Sequence, residues 1–211
     1  MMSDNGFFLE GFRHLPGYLT VDRQTALMAA VGHIVAAAPL FRPTMPRTGQ
    51  PFSVRMTNCG PLGWVSDRAG GYRYQAQHPE TGRRWPAIPD DLIALWREVA
   101  DCAALPEACL VNHYGAGAKL GSHVDADEAE MSAPVVSVSL GDAAVFHVGG
   151  PGRRDPKQRL VLASGDVVVL GGAARRARHG IDRIRPGTSD IVPWGGRINL
   201  TLRRVNSIGA G

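Results

Sequence analysis

The residues with the most chemistry to offer are His123 and Asp125, separated by one valine, with His179 far downstream and the pair Arg197 and Arg203 after it. Two imidazoles and one carboxylate form the donor set that holds a non-haem iron(II) on one face and leaves other coordination positions open. A His and an Asp two residues apart on an extended segment project to the same side, so both can reach one metal. The third ligand must come from elsewhere in the fold, and His179, followed by Gly180, is the best-placed candidate. A bare His-x-Asp is common, and on its own it is most often a surface or capping pair.

The segment Arg197-Ile-Asn-Leu-Thr-Leu-Arg203 raises its significance. It alternates strictly, with Arg197, Asn199, Thr201 and Arg203 on one side and Ile198, Leu200 and Leu202 on the other. For an arbitrary strand the ordinary reading is a half-buried element with a basic face in solvent. The chemical reading is a carboxylate clamp, because each guanidinium offers a planar fork that grips a carboxylate with two charge-assisted hydrogen bonds. Beside an iron(II) site, two arginines and an amide suit a small dianion that also chelates the metal, and 2-oxoglutarate is such a molecule.

The elements that must position these groups fall into two parts. Thr20 is an N-cap for an Ala-rich helix over 22–38 that stops at Pro39, after an irregular lead-in over 1–19. Residues 40–89 read as loop, and Asp90 caps a second helix whose Leu92, Leu95, Trp96 and Val99 share a core-facing side. Beyond about residue 107 come short strands at 109–114, 134–140, 143–148, 159–163, 166–170 and 197–204, with tight turns at Gly141-Asp142 and Ser164-Gly165. The pattern is mainly β with flanking helices (α+β), a jelly-roll barrel whose open mouth can hold a metal.

A chain of 211 residues with 44% hydrophobic and 20% charged residues builds one ordinary globular domain rather than a disordered one. Its formal charge of +4 permits an anionic partner without requiring one. Cys59, Cys102 and Cys109 are odd in number and form no Cys-x-x-Cys pair, which fits free thiols in a reducing compartment. With neither a signal segment nor a membrane-length apolar run in this sequence, the expected location is cytoplasmic, with no membrane association.

From about Phe52 to Arg203 the chain resembles the AlkB family of iron(II)- and 2-oxoglutarate-dependent nucleic-acid dealkylases. The resemblance is carried by Met56-Thr-Asn-Cys-Gly60 with Leu62-Gly-Trp64, Trp85-Pro-Ala-Ile-Pro89, Asn112-His-Tyr114, His123-Val-Asp125-Ala-Asp127-Glu128, Pro134 to Gly141, Gly165-Asp-Val-Val-Val169, His179-Gly-Ile181 and Arg197 to Arg203. It implies a double-stranded β-helix core over 107–211, with residues 1–106 forming an extension and nucleotide-recognition lid packed on it as one folding unit. It implies His123, Asp125 and His179 as ligands of Fe(II), and Asn112, Tyr114, Arg197, Asn199 and Arg203 as the 2-oxoglutarate site. Asn112 and Tyr114 share one face of a strand and offer an amide and a phenol, in keeping with that role. Trp64, Tyr72, Asp127 and Arg159 match substrate-contacting positions. The implied reaction uses O2 to remove methyl groups of the 1-methyladenine and 3-methylcytosine type from single- or double-stranded DNA, and from RNA, by a monomer that needs no protein partner. Leu170 and Arg178 depart from the family, standing where aromatic side chains are expected.

Other residues have plainer roles. His14, His33, His78, His113 and His147 read as ordinary surface or core histidines, Trp96 as core, and Trp85 as packing for its loop. Glu128 and Glu130 read as solvated charges. Arg175, Arg176 and Arg178 form a basic cluster beside His179, read as surface arginines or as phosphate contacts at the site's mouth. Three other functions use related residues: an oxygenase acting on RNA, protein or a small molecule, a metal-holding binding module, and a zinc hydrolase. The last would leave Arg197 and Arg203 without a task.

Overall fold

The computed structural model describes residues 9–209. Six strands form one antiparallel sheet: β1 (Phe12–Leu15), β2 (Arg55–Cys59), β5 (Ala108–Tyr114), β7 (Val135–Gly141), β10 (Val167–Leu170) and β12 (Arg197–Arg203), in the order β1-β10-β7-β12-β5-β2. Four more form the facing sheet: β6 (Leu120–His123), β8 (Ala143–Gly149), β9 (Lys157–Leu162) and β11 (Arg178–Arg185), in the order β6-β11-β8-β9. A separate hairpin pairs β3 (Gly63–Asp67) with β4 (Gly71–Gln75). The two larger sheets make a jelly-roll, as the strand pattern leads one to expect.

The tight turns do more than join hairpins. Gly141, at φ +85°, and Gly165, at φ +88°, lie where the chain crosses from one sheet to the other, between β7 and β8 and between β9 and β10. A Cβ on Gly141 would stand 2.5 Å from the Gly196 carbonyl oxygen, so only glycine fits this corner.

Helix α1 (Val21–Ala37) begins where expected, with the Thr20 hydroxyl accepting from the Arg23 N–H. Helix α2 (Asp90–Val99) differs in its cap. Pro89 occupies the N-cap position without a side-chain bond, and Asp90 and Asp91 lie in the first turn, where their charge complements the positive helix end. Leu92, Leu95 and Trp96 of α2 join Val31 and Ile34 of α1 in one apolar cluster with Ile198, Leu200 and Leu202 of β12. Each such side chain contributes about 1.5–3 kcal/mol on burial. The helices therefore cover the apolar face of β12, and strict alternation turns its polar face into the barrel. That face is not solvated: Arg197 is 1% exposed and Arg203 7%.

The elements absent from the sequence reading are β1, β2, β3, β4, β6 and β11. The segment expected as a loop over 40–89 holds β2 and the β3–β4 hairpin, and the lead-in expected over 1–19 supplies β1, paired to β10. Residues 1–8 of that lead-in lie outside the described range. Strand β6 (Leu-Gly-Ser-His) has no alternating apolar pattern, and β11 carries three arginines and a register shift near Ile181–Arg183. Their pairing comes from tertiary contact rather than local propensity.

Candidate active site

His123 ends β6 and His179 is the second residue of β11, and the two are paired across the sheet with ring centroids 4.5 Å apart. Gly180 lets the strands close at this point: a Cβ there would meet the Leu120 carbonyl oxygen at 2.5 Å. His123 Nδ1 lies 2.9 Å from the Gly121 carbonyl oxygen, and His179 Nδ1 lies 3.1 Å from that of Ala177. With Nδ1–H donating to those carbonyls, both Nε2 atoms are left as acceptors facing one point. Each Nε2 lies 3.5 Å from an oxygen of Asp125. One donor atom from each of the three residues falls within 4.8 Å of the others.

Asp125 reaches this position differently from the sequence expectation. Strand β6 ends at His123, so Asp125 is not on a shared strand face but in the irregular segment after it. Arg175 Nη1 donates to the Asp125 backbone carbonyl at 2.5 Å, and Arg203 Nη2 pairs with Asp125 Oδ1 at 2.7 Å. Burial works against the Asp125 carboxylate, but Arg203, His179 and His123 outweigh it and hold its pKa well below the usual range.

The register of β12 on β5 sets Arg197 opposite Tyr114 and Asn199 opposite Asn112. Asn112 Nδ2 points to Asn199 Oδ1 at 3.5 Å, and Asn199 Nδ2 donates to Ser137 Oγ at 2.7 Å. Arg197 Nη2 donates to Ser139 Oγ at 2.6 Å, and burial pulls its pKa down to about 10 against the opposing pull of Tyr114 and Asp166. Burial likewise pushes the Tyr114 phenol up to about 12. Among the described residues six buried side-chain polar atoms have no hydrogen-bond partner, and three of them belong to this group of residues: Asp125 Oδ2, Arg197 Nε and Arg203 Nε. Unpaired buried charge is costly, so a carboxylate whose two oxygens each face one imidazole, with unpaired guanidinium Nε donors on one strand face, fits a cation and a dianion.

A cavity of about 530 Å³ opens above these groups and is lined by Asn112, Tyr114, His123, Asp125 and Arg203, with Trp64, Tyr72 and Asp127 also in its wall. Asn58 fixes Trp64 by accepting from its backbone N–H at 3.1 Å and donating to its carbonyl at 3.0 Å. Trp64 stacks on Tyr72 at 5.6 Å and donates its indole N–H to Asp127 at 2.8 Å. Arg159 is not brought to this cavity; it pairs with Asp182 at 2.9 Å on β9, opposite His147.

Several charges thought to be solvated are structural. Glu128 is 4% exposed and Arg175 3%, joined at 2.8 Å, so neither is a free surface group. Arg178 donates to the Ser122 carbonyl at 2.7 Å and ties β11 to the residue before His123, while Arg176 stays exposed. Leu170 is buried between the sheets with Phe146 and Ile181. Trp96 is a core residue, as expected, and Trp85, expected to pack its loop, is buried with its N–H donating to the Gln75 carbonyl. The sequence alone suggested a solvated Glu128 and a surface or phosphate-contacting Arg175, and assigned Tyr74 no role; the one available signal was the clustering of Asp125, Asp127 and Glu128 within four residues.

With this geometry in hand, comparison with known proteins is specific. Residues 11–203 match the model of the 2OG-Fe(II) oxygenase superfamily. The chain is 53% identical over 197 residues to the alpha-ketoglutarate-dependent dioxygenase AlkB homolog of Caulobacter vibrioides (strain NA1000 / CB15N), covering 93% of this chain and 89% of that protein. It is 44% identical over 174 residues to the alpha-ketoglutarate-dependent dioxygenase AlkB of Escherichia coli (strain K12), covering 81% and 80% respectively. The solved structure described as "The structure of OsALKBH1" matches with a TM-score of 0.76 at 30% identity, covering 94% of this chain and 100% of that one.

Proposed function

The chain belongs to the AlkB family of 2-oxoglutarate- and iron(II)-dependent dioxygenases, and from that premise we propose that it removes N-methyl groups from 1-methyladenine- and 3-methylcytosine-type lesions in DNA, and in RNA. The observation that carries the reading is the convergence of His123, Asp125 and His179 beside the unpaired donors of Arg197 and Arg203.

His123 and His179 Nε2 and the Asp125 carboxylate would hold iron(II). Arg197 and Arg203 would take the carboxylates of 2-oxoglutarate, with Asn112, Tyr114 and Asn199 completing its polar contacts. Bound together with O2, these groups would supply the oxidation: 2-oxoglutarate becomes succinate and carbon dioxide, and the N–CH3 of the cationic base becomes N–CH2OH, which loses formaldehyde and a proton to leave the unmodified ring nitrogen.

The protein's own residues position and select. Nδ1 donation to Gly121 and Ala177 keeps both imidazoles in the tautomer a cation needs. A methyl on the pairing edge is out of reach inside a duplex, so the base must be unpaired or flipped into the cavity. There Trp64 and Tyr72 offer aromatic faces to a cationic base, worth roughly 0.5–2 kcal/mol, and Asp127 adds a carboxylate. The division at residue 106 is functional rather than one of folding, since β1 and β2 lie in the six-stranded sheet; the lid's working part is the β3–β4 hairpin. The three free cysteines suit the cytoplasm, and no helix among the described residues is long and apolar enough to cross a membrane.

The test is succinate release with iron(II) and 2-oxoglutarate, with and without methylated single-stranded DNA. Stimulation by the methylated strand and not by its unmodified counterpart is expected. Equal release with both would count against a base as the substrate.

A further inference from the structure

The β3–β4 hairpin pairs with neither large sheet; Val65 packs its inner side into an apolar cluster and the Ser66 carbonyl accepts from the Thr44 N–H, while its aromatic face is held by side-chain anchors. Trp64 and Tyr74 face each other across the hairpin, and Tyr72 lies two residues from Tyr74, so one face presents all three rings. Two of them are tethered to neighbouring acids of the segment Asp125-Ala-Asp127-Glu128. The Trp64 indole donates to Asp127, and the Tyr74 hydroxyl donates to Glu128 in a short hydrogen bond.

Glu128 does not end the chain of contacts. Its Oε1 accepts from Arg203 Nη1 at 2.7 Å, and the same Nη1 lies 3.2 Å from the Tyr74 hydroxyl. The other end of that guanidinium, Nη2, holds Asp125. Arg175 secures the far side, gripping Glu128 Oε2 at 2.8 Å and the Asp125 carbonyl. The aromatic hairpin, the proposed cosubstrate arginine and the proposed iron carboxylate thus meet in one buried network, joined through a single carboxylate.

We infer that Tyr74 and Glu128 couple the two binding events: they transmit the placement of Arg203 to the hairpin, so that 2-oxoglutarate and the nucleic-acid base each tighten the binding of the other. This rests on the dioxygenase reading of the site and adds a role for residues that touch neither ligand. The physical basis is shared ordering. A dianion on Arg203 fixes its guanidinium; the fixed guanidinium holds Glu128 and Tyr74; and a hairpin already held has less freedom to lose when a base packs on Trp64 and Tyr72. Swinging the hairpin away would strip the Tyr74 hydroxyl of both partners inside the protein. Because coupling of this kind is reciprocal, the same factor must appear whichever ligand binds first.

The experiment uses the full chain with manganese(II) in place of iron(II), so that no turnover occurs. The dissociation constant of 2-oxoglutarate is measured by calorimetry with and without a single-stranded oligonucleotide containing 1-methyladenine, and the oligonucleotide's with and without 2-oxoglutarate. Wild-type protein is expected to show mutual tightening of at least about fivefold, the lower end of ordinary allosteric coupling. In Tyr74→Phe the ring remains and the hydroxyl is gone; coupling should fall to near one while the affinities for manganese and for 2-oxoglutarate alone stay within about twofold. A second readout needs no variant: manganese with 2-oxoglutarate should slow hydrogen exchange of the wild-type β3–β4 amides. Independent binding of the two ligands in wild type, full coupling in Tyr74→Phe, or unchanged exchange in the hairpin would each overturn the inference and leave the dioxygenase reading standing. Failure of wild-type protein to bind 2-oxoglutarate at all would remove both.

Discussion

Arg203 bridges Asp125 and Glu128, donating one terminal nitrogen to each at 2.7 Å. An arginine that sequence alone assigns to a cosubstrate is therefore also the counter-charge of a proposed metal ligand. Position and charge at the centre are fixed by the same side chain, and the consequences can be measured separately.

Arg197→Lys and Arg203→Lys should differ. Lysine cannot reproduce the fork, so both variants should weaken 2-oxoglutarate binding by roughly 10–100-fold, the worth of a charged hydrogen bond or two. Only Arg203→Lys should also loosen iron(II), because only Arg203 touches Asp125. Titration of each metal-loaded variant with 2-oxoglutarate, beside a metal titration, checks this. Unaltered 2-oxoglutarate affinity in both would end the dicarboxylate assignment of β12.

Glu128→Gln should destabilise the fold in a pH-dependent way. Burial alone would raise the Glu128 pKa, yet Arg203, Tyr74 and Arg175 outweigh it and lower it. A carboxyl with a depressed folded pKa contributes stability that is present above its unfolded value, near 4.3, and is lost as pH falls through the folded one. Breaking a buried pair costs about 3–5 kcal/mol at pH 7. Urea unfolding at pH 7 should show that loss, and the gap between wild type and variant should narrow as pH drops below about 4. A gap that stays constant with pH would contradict it.

Gly180→Ala should force β6 and β11 apart, because the new methyl would lie 2.5 Å from the Leu120 carbonyl oxygen and 2.9 Å from that of Gly121. Overpacking of this kind costs about 1–3 kcal/mol. A lower melting temperature with iron(II) affinity reduced more than 2-oxoglutarate contacts can explain is the expected result. Wild-type metal affinity in a folded variant would show that the strand spacing is not what sets the His123–His179 geometry.

Exposed arginines are the proposed contacts to the nucleic-acid backbone. Arg176, Arg153 and Arg154 are exposed, and the Arg178 N–H bond to the Gly150 carbonyl brings the β8–β9 loop that carries the last two beside β11. Each Arg→Ala change that removes a phosphate contact should flatten the salt dependence of single-strand binding by about 0.7 in log–log slope. Arg175→Ala should instead lower stability, because Arg175 is buried in the Glu128 network. Salt slopes and melting curves for both kinds of variant separate the two roles; a stable Arg175→Ala with a flattened slope would reverse the assignment.

The parts of this fold legible in sequence are those with strict local period. Strand β12 alternates without a fault, so its apolar face against the helices and its polar face into the barrel both follow. Thr20 before an Ala-rich run marks the start of α1 in the same way. What escaped depends on tertiary partners. Nothing local distinguishes the Leu-Gly-Ser-His strand from a loop, and the β3–β4 hairpin is tethered by Asn58, Asp127 and Glu128, none of them its own residues. Glu128 and Arg175 look like solvated charges until each is seen to be the other's partner. The three residues of the proposed metal site could be picked out by type, but the path that brings Asp125 beside the histidines runs through Arg175 and Arg203, far along the chain.

The most direct test of the central claim is formaldehyde release from a 1-methyladenine oligonucleotide by wild-type protein and by purified, folded Asp125→Ala, with iron(II) and 2-oxoglutarate at saturation. Two imidazoles alone do not hold iron(II) in an open facial geometry. Wild type should release one formaldehyde for each methyl removed, with matching succinate, and Asp125→Ala should release none above background. Turnover by Asp125→Ala close to that of wild type would contradict the proposed iron site.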